Sequence, residues 1–240
     1  MSDLVVQNNS SGLNLFDIDQ FMAAQKVSKL FAASDLVPDI YKVSGTNPES
    51  KAIANCFIAI NKAHQMGLDP LTVMQNLNIV MGRPCWGSSF LIATVNSSGR
   101  FKPLKYRFTS EGKVGKINIT EFVWDSNAKK KLPKTIVFDG TNIDNLVCVA
   151  YTSSLDDPDE ILESTPVSIS MAILEGWYTK AGSKWPVMPK QMLMYRSASF
   201  WTNTYAPEIS KGMKTTEEVR DIVDVDYTEV KQSVEDEINE

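Results

Sequence analysis

The spacing of apolar residues along the chain starts helical. In "DIDQFMAAQKVSKLFAAS", Phe21, Met22, Val27, Leu30 and Phe31 recur near helical spacing, and Asp17 or Asp19 can cap the helix they predict. A loop containing Pro38, Gly45 and Pro48 separates it from "PESKAIANCFIAINKAHQMG", where Ile53, Phe57, Ile60 and His64 mark the apolar side of a second helix and Gly67 its C-cap. A third, shorter helix starts at "DPLTVMQNL", with Asp69 as N-cap and Pro70 in the favoured first position. The period then changes. "NIVMGRPCWG" reads as two short strands around a turn, and "SSFLIATVNSSG" returns to helix before Gly99.

From residue 101 the pattern alternates. "FKPLKYRFTS", "VGKINITEFVWD", "KTIVFDG" and "LVCVAYTSSL" predict four strands of a sheet, separated by turns rich in Gly, Asn and Lys. "TPVSISMAILEGW" is again helical, and a Gly/Ser/Pro loop leads to a last long helix from Pro189 to about Tyr205. On that helix Met192, Tyr195 and Ser199 share one side while Met194, Ala198 and Trp201 share another, so apolar surface wraps most of it. The pattern predicts core on one face and contact with a neighbouring subunit on another, in preference to base stacking. The fold class is therefore α+β: a central antiparallel sheet with hairpins, flanked by helices before and after it. The expected organisation is a flexible start over residues 1–12, a single α+β domain over 13–214, and a flexible acidic C-terminal tail over 215–240.

Composition narrows this further. With 43% hydrophobic and 22% charged residues the chain is long enough to bury a real core. No apolar run approaches the length of a membrane span, and the first residues lack a secretory pattern, so a cytoplasmic protein with no membrane partner is expected. Cys56, Cys85 and Cys148 lie far apart and outside any zinc or disulfide spacing, which makes them small core residues. The net charge of −5 conceals an asymmetry. Residues 215–240 carry ten acids against Arg220 and Lys231, whereas 83–134 carries eleven bases against Glu111, Glu121 and Asp125.

Bond-making chemistry finds little support. His64 is the one histidine, and its place beside Phe57 and Ile60 favours packing or capping over catalysis. No phosphate-binding glycine loop follows a strand, which argues against ATP use. Asp156, Asp157, Asp159 and Glu160 are dense, but they lack a calcium-loop glycine and are interrupted by Pro158, so a solvated turn is the better reading. Positive charge is more informative. Lys105 and Arg107 project to one face of a strand, Lys102 precedes them, and Phe101, Tyr106, Arg83 and Trp86 are near in sequence. Such a mixture can track a phosphate backbone and stack bases, although a sheet with one polar face has the same pattern. Lys129, Lys130 and Lys131 form a basic turn with either a solubilising or a phosphate role, and Lys180, Lys184 and Lys190 alternate with Trp177, Tyr178 and Trp185 in a loop suited to DNA contact.

Two segments carry a resemblance. "NIVMGRPCWGSSFLIATVNSSGRFK" and "MLMYRSASFWTNTYAPEISKGMKTTEEV" resemble the hairpin-to-helix stretch and the late helix of RecT-type phage single-strand DNA annealing proteins, the RecT/Redβ-like recombinases. The likeness runs from about Ala52 to Val219. It implies an ATP-independent, non-catalytic protein that coats single-stranded DNA, assembles into a ring or filament, and pairs complementary strands. It also implies a phage-encoded exonuclease partner. Carried over to this chain, Arg83, Arg100, Lys102, Lys105 and Arg107 become phosphate contacts and Trp86 and Tyr106 stacking residues. Arg196 matches a late-helix arginine that either meets DNA or locks the helix to the sheet. No cofactor is implied, with magnesium at most a modulator of assembly.

Three alternatives stand beside this expectation. A protective single-strand-binding protein would not accelerate pairing. A metal-dependent nuclease would use Asp139, Asp144, Asp156 or Asp157, and a structural phage protein would oligomerise without touching DNA. The acidic tail can compete with DNA for the basic groove, dock an exonuclease or a host single-strand-binding protein, or simply solubilise the chain.

Overall fold

The computed structural model describes residues 16–80, 82–126 and 129–221. The expected loose start at 1–12 and the acidic stretch from 222 onward lie outside the described residues, as do the side chains of Lys130 and Lys131. The architecture is mixed α+β, with antiparallel sheets preceded and followed by helices.

Helix α1 (Ile18–Ala32) begins where Asp17 accepts hydrogen bonds from the amides of Asp19 and Gln20, each at 3.0 Å. It packs on α2 (Glu49–Met66), where Phe21 meets Phe57 with ring centres 5.2 Å apart, but the fully buried positions of the seam are not the large apolar residues that the spacing singled out. The buried positions are Ala24, Ser28 and Ala32 on α1 and Ala52, Cys56, Ala59 and Ala63 on α2. Small side chains on both faces bring the helix axes close together, and the bulky ones are left flanking the seam. Phe21, Met22, Val27 and Leu30 are consequently exposed, Leu30 to 74%. His64 is exposed too, one position beyond the buried stripe, so it is not a core residue. Gly67 closes α2 at φ 65°, a conformation that favours glycine. Helix α3 (Pro70–Asn76) follows its cap, the Asp69 carboxylate accepting from the Thr72 amide at 2.8 Å.

Strands β1 (Leu77–Val80) and β2 (Arg83–Trp86) form the expected hairpin, and α4 (Ser88–Ser97) leaves it directly. The four expected strands of the central sheet are two long ones, β3 (Lys105–Asp125) and β4 (Lys130–Ser153), paired antiparallel along their length. Gly112 and Gly115 make no hairpin turns. They mark the register shifts between Ser110, Lys113 and Gly115, where an irregularity bends the ladder and pairing resumes. At that bend Gly140 lies so close to the opposite strand that a Cβ would meet Val114 Cβ at 2.8 Å. Short strands β5 (Ile161–Glu163) and β6 (Val167–Ser168) both pair with β4.

Helix α5 (Ile169–Leu174) is capped by the Ser168 hydroxyl, which accepts from the Met171 amide at 3.0 Å. Helix α6 (Pro189–Tyr205) lies against β4 and buries Leu193, Arg196, Ser197, Ala198, Ser199, Trp201 and Thr202. Its apolar sides meet the chain's own sheet and α4, with Trp201 edge-on to Phe101 at 5.0 Å. The aromatic wrap of this helix is thus met largely within one subunit. After α7 (Pro207–Ser210) comes α8 (Thr216–Asp221), which opens with a capping box. Glu218 accepts from the Thr215 amide at 2.8 Å, and the Glu218 amide donates to Thr215 Oγ1 at 3.3 Å. Thr215, Thr216, Glu218 and Val219 are buried, and the Trp86 amide donates to Lys214 O at 3.0 Å. Residues 215–220, at the start of the stretch expected as an acidic tail, thus pack on the β1–β2 hairpin.

Candidate nucleic-acid interface

The alternation in "KYRF" is realised in β3. Tyr106 and Phe108 face the helices and pack with the core that holds Cys148 and Leu193, whereas Lys105 and Arg107 are on the outer face. Register then places Tyr151 of β4 opposite Lys105, and Glu163 of β5 opposite Tyr151, in one row across three strands. Lys102 is held beside them. Its amide donates to Ser153 O at 3.0 Å, and the Thr152 hydroxyl donates to Lys102 O at 2.6 Å. Lys102, Lys105, Tyr151 and Pro158 border a recess of about 210 Å³.

The basic residues of this face are not equivalent. Among the described residues, no carboxylate pairs with Lys102 or Lys105. Arg107 instead donates from Nη2 to both carboxylate oxygens of Glu163, at 2.8 and 2.9 Å, and its guanidinium lies 5.5 Å from the centre of the Tyr151 ring. Arg100 forms an ion pair with Glu208 and lies over the Phe101 ring at 5.0 Å. Two lysines are thus available for phosphate, and two arginines are already engaged with acids. The acidic turn at 155–160 adjoins the recess, with the Leu155 amide donating to Arg100 O, so negative potential bounds this end of the face.

Three expected contacts are corrected by burial. Trp86 is 1% exposed and belongs to the core formed by α2, α3 and α4, where its indole N–H donates to Ser210 O at 3.1 Å. It cannot stack on a base. Tyr106 is wedged between two core clusters, its hydroxyl buried and without a hydrogen-bond partner, and burial pushes its pKa well above the ordinary phenol value. Arg196 is 7% exposed, its guanidinium 3.9 Å over the Trp177 ring and 3.9 Å from Glu218. Of its two expected roles, locking the helix is the one its position allows. The aromatic residue the sequence reading missed is Tyr151. It sits in an alternating strand, but only the pairing with β3 brings it to Lys105.

Arg83 is exposed on a different sheet from Lys105, so one continuous groove through both does not form along the strands. Its strand partner Val80 lines a second cavity, also about 210 Å³, with Lys180, Lys184 and Arg220. Lys190 lies 5.9 Å from the Phe108 ring centre. A larger recess of about 580 Å³ between α1 and α2 is mostly apolar, bordered by Phe21, Ile53, Phe57 and Ile58.

The acids considered for nuclease chemistry are dispersed. Asp144 pairs with Lys113 at 2.7 Å, and Asp139 accepts from the Thr141 hydroxyl and amide, which lowers its pKa. Asp157 accepts from the Glu160 amide at 3.3 Å within an exposed turn. Among the described residues, no three His, Cys, Asp or Glu side chains converge as metal ligands, and no helix is long and apolar enough to cross a membrane. Cys56, Cys85 and Cys148 are free and buried, and burial raises each thiol pKa. No protein-family model, curated protein or solved structure matches the chain.

Proposed function

We propose that the protein binds single-stranded DNA through its phosphates and anneals complementary strands without ATP, as a phage or prophage recombination protein. The observation that carries this reading is the outer face of β3 and β4, where Lys102 and Lys105, with no acidic partner among the described residues, stand beside the ring of Tyr151. Ammonium groups on flexible stems exchange counterions for phosphates without reading base identity. A flat ring beside them offers one base a stacking surface that any sequence can use.

Annealing by this route needs no bond-making group. The chain holds a strand by its backbone, base edges stay open, and the incoming strand tests complementarity by pairing. Each subunit contributes few charges, so useful affinity requires many subunits on one strand. The exposed apolar residues of α1, including Ile18, Met22 and Leu30, support such assembly, because patches of this kind mark protein contacts. A cooperating exonuclease and a host single-strand-binding protein are the proposed protein partners.

The test mixes purified protein, without ATP, with two complementary fluorescently labelled strands and a noncomplementary control. Accelerated pairing restricted to complementary strands is the expected result. Binding without acceleration makes the protein a protective coat, and no binding at low salt removes the nucleic-acid assignment.

A further inference from the structure

The recess between α1 and α2 is elongated and apolar, with a basic rim. Phe21, Gln25 and Lys29 border it on α1 and Ile53, Phe57 and Ile58 on α2, so it follows α1 for about 12 Å. Its volume is about 580 Å³, and Ile58 beside it is 61% exposed. Continuous apolar surface of this kind marks a contact site. Lysines stand on both rims: Lys26 and Lys29 on α1, Lys51 and Lys62 on α2, none in an ion pair among the described residues. Lys51 and Lys62 lie about three turns apart and share one side of α2 with Ile58. Glu49 is the single acid among the lining residues, and its place in the first turn of α2 sets it against the positive end of that helix. The last described turn of the chain approaches this groove. Arg220 of α8 and Ile40 border one recess of about 250 Å³, and the Ile40 carbonyl accepts from Asn55 Nδ2 at 2.8 Å, next in sequence to the groove residue Ala54.

We infer that this groove takes the chain's own residues 222–240, laid in it as an amphipathic helix. At helical spacing Val223, Tyr227, Val230 and Val234 fall on one side of that stretch, with Asp224 and Glu235 along one edge of the stripe and Asp226 and Glu237 along the other. Each acid pair spans the same interval of about three turns as Lys51 and Lys62, so seating the stripe in the groove brings acids to the lysines of both rims. Exposed ion pairs add little affinity, so the apolar stripe supplies the binding and the charges fix its register. The stretch is about 28 Å long as a helix and reaches about 60 Å when extended, which is ample from Asp221. Residues 1–15 adjoin α1 in sequence, but their only acid is Asp3 and their apolar residues form no helical stripe. A second copy placed face to face would set the rim lysines against their own equivalents, which repel. The docking goes beyond the single-strand reading and does not depend on it.

The experiment places a nitroxide on Gln232→Cys, opposite the stripe, in the full chain, whose native cysteines are buried. Isoleucine methyl signals then report where the label lies. Loss of intensity at Ile53 and Ile58 is expected, recovered when the nitroxide is reduced, with no loss at Ile161, which is exposed beside Lys102 and Lys105. Tyr227→Asp with Val230→Asp, both in the stretch itself, should return Ile53 and Ile58 to full intensity. Full intensity at every isoleucine of the parent, or unchanged loss in the double variant, overturns the inference. Loss at Ile161 in place of Ile53 and Ile58 also overturns it and assigns the acids to the sheet face. Nitroxide-bearing chains without isotope, mixed with isotope-labelled chains without nitroxide, should show no loss. Loss in that mixture assigns the groove to a second copy and overturns the intrachain contact. No DNA enters the measurement, so a failed annealing assay refutes the proposed function and leaves this result standing.

Discussion

Replacing Lys102 and Lys105 together by Ala tests the sheet face most directly, because neither lysine pairs with an acid among the described residues. Each lysine that meets a phosphate releases condensed counterions, which contributes about 0.7 to the slope of log affinity against log salt for a single strand. Two lysines account for about 1.4 of that slope, so between roughly 50 and 200 mM salt the parent should lose about sevenfold more affinity than the variant. Arg107 provides the contrast. Glu163 already holds it through both carboxylate oxygens, so Arg107→Ala removes a cation whose charge is largely neutralised within the chain, and its slope should change less. Glu163→Gln frees that guanidinium and should tighten binding at low salt while steepening the slope by about 0.7. Fluorescence anisotropy with labelled oligonucleotides of two unrelated sequences reads all three variants. Parallel slopes for the parent and the double-lysine variant, or a loss confined to one oligonucleotide sequence, would refute the assignment of these lysines to phosphates.

Three further outcomes follow from burial. Trp86→Ala should destabilise the fold by about 3–5 kcal/mol through the cavity it leaves, measured by denaturant unfolding, whereas a surface stacking residue would lower DNA affinity with little loss of stability. Arg196→Ala strips the cation from Trp177 and leaves Glu218 buried beside a missing partner, so a loss of about 3 kcal/mol is expected in the same assay. Burial raises the Cys56 thiol to about 11 and the Tyr41 phenol to about 12. The unfolded chain releases these protons first, so the stability they contribute is complete below pH 9 and is lost as pH rises from 9 through 12. Tyr41→Phe should flatten the upper part of that decline, and an unchanged pH profile in urea melts would contradict the placement of Tyr41.

Local chemistry was legible in the sequence wherever neighbours along the chain decide it. Asp17, Asp69 with Pro70, and Gly67 mark helix ends because capping involves residues only a few positions apart. The bounds of α6 and the inward and outward alternation of residues 105–108 follow from the same short-range periodicities. The basic stretch was visible as composition, but its division into unpaired lysines and acid-bound arginines was not. That division depends on Glu163 and Glu208, which are 56 and 108 residues away from Arg107 and Arg100.

The tertiary structure decided which apolar residues are core. Helical spacing gives α1 a bulky stripe and a small one, and the small stripe is buried because α2 presents its own alanines to a close contact. The same competition moved Trp86 inside and left Tyr151 as the ring beside Lys105. It also brought Arg220 to the cavity bordered by Lys180, Lys184 and Trp185, a grouping that no local window contains. Helix ends and strand faces are set by bonds a few residues long, so the sequence alone determines them. Burial and charge pairing depend on which distant surfaces meet, and only the packed chain decides that.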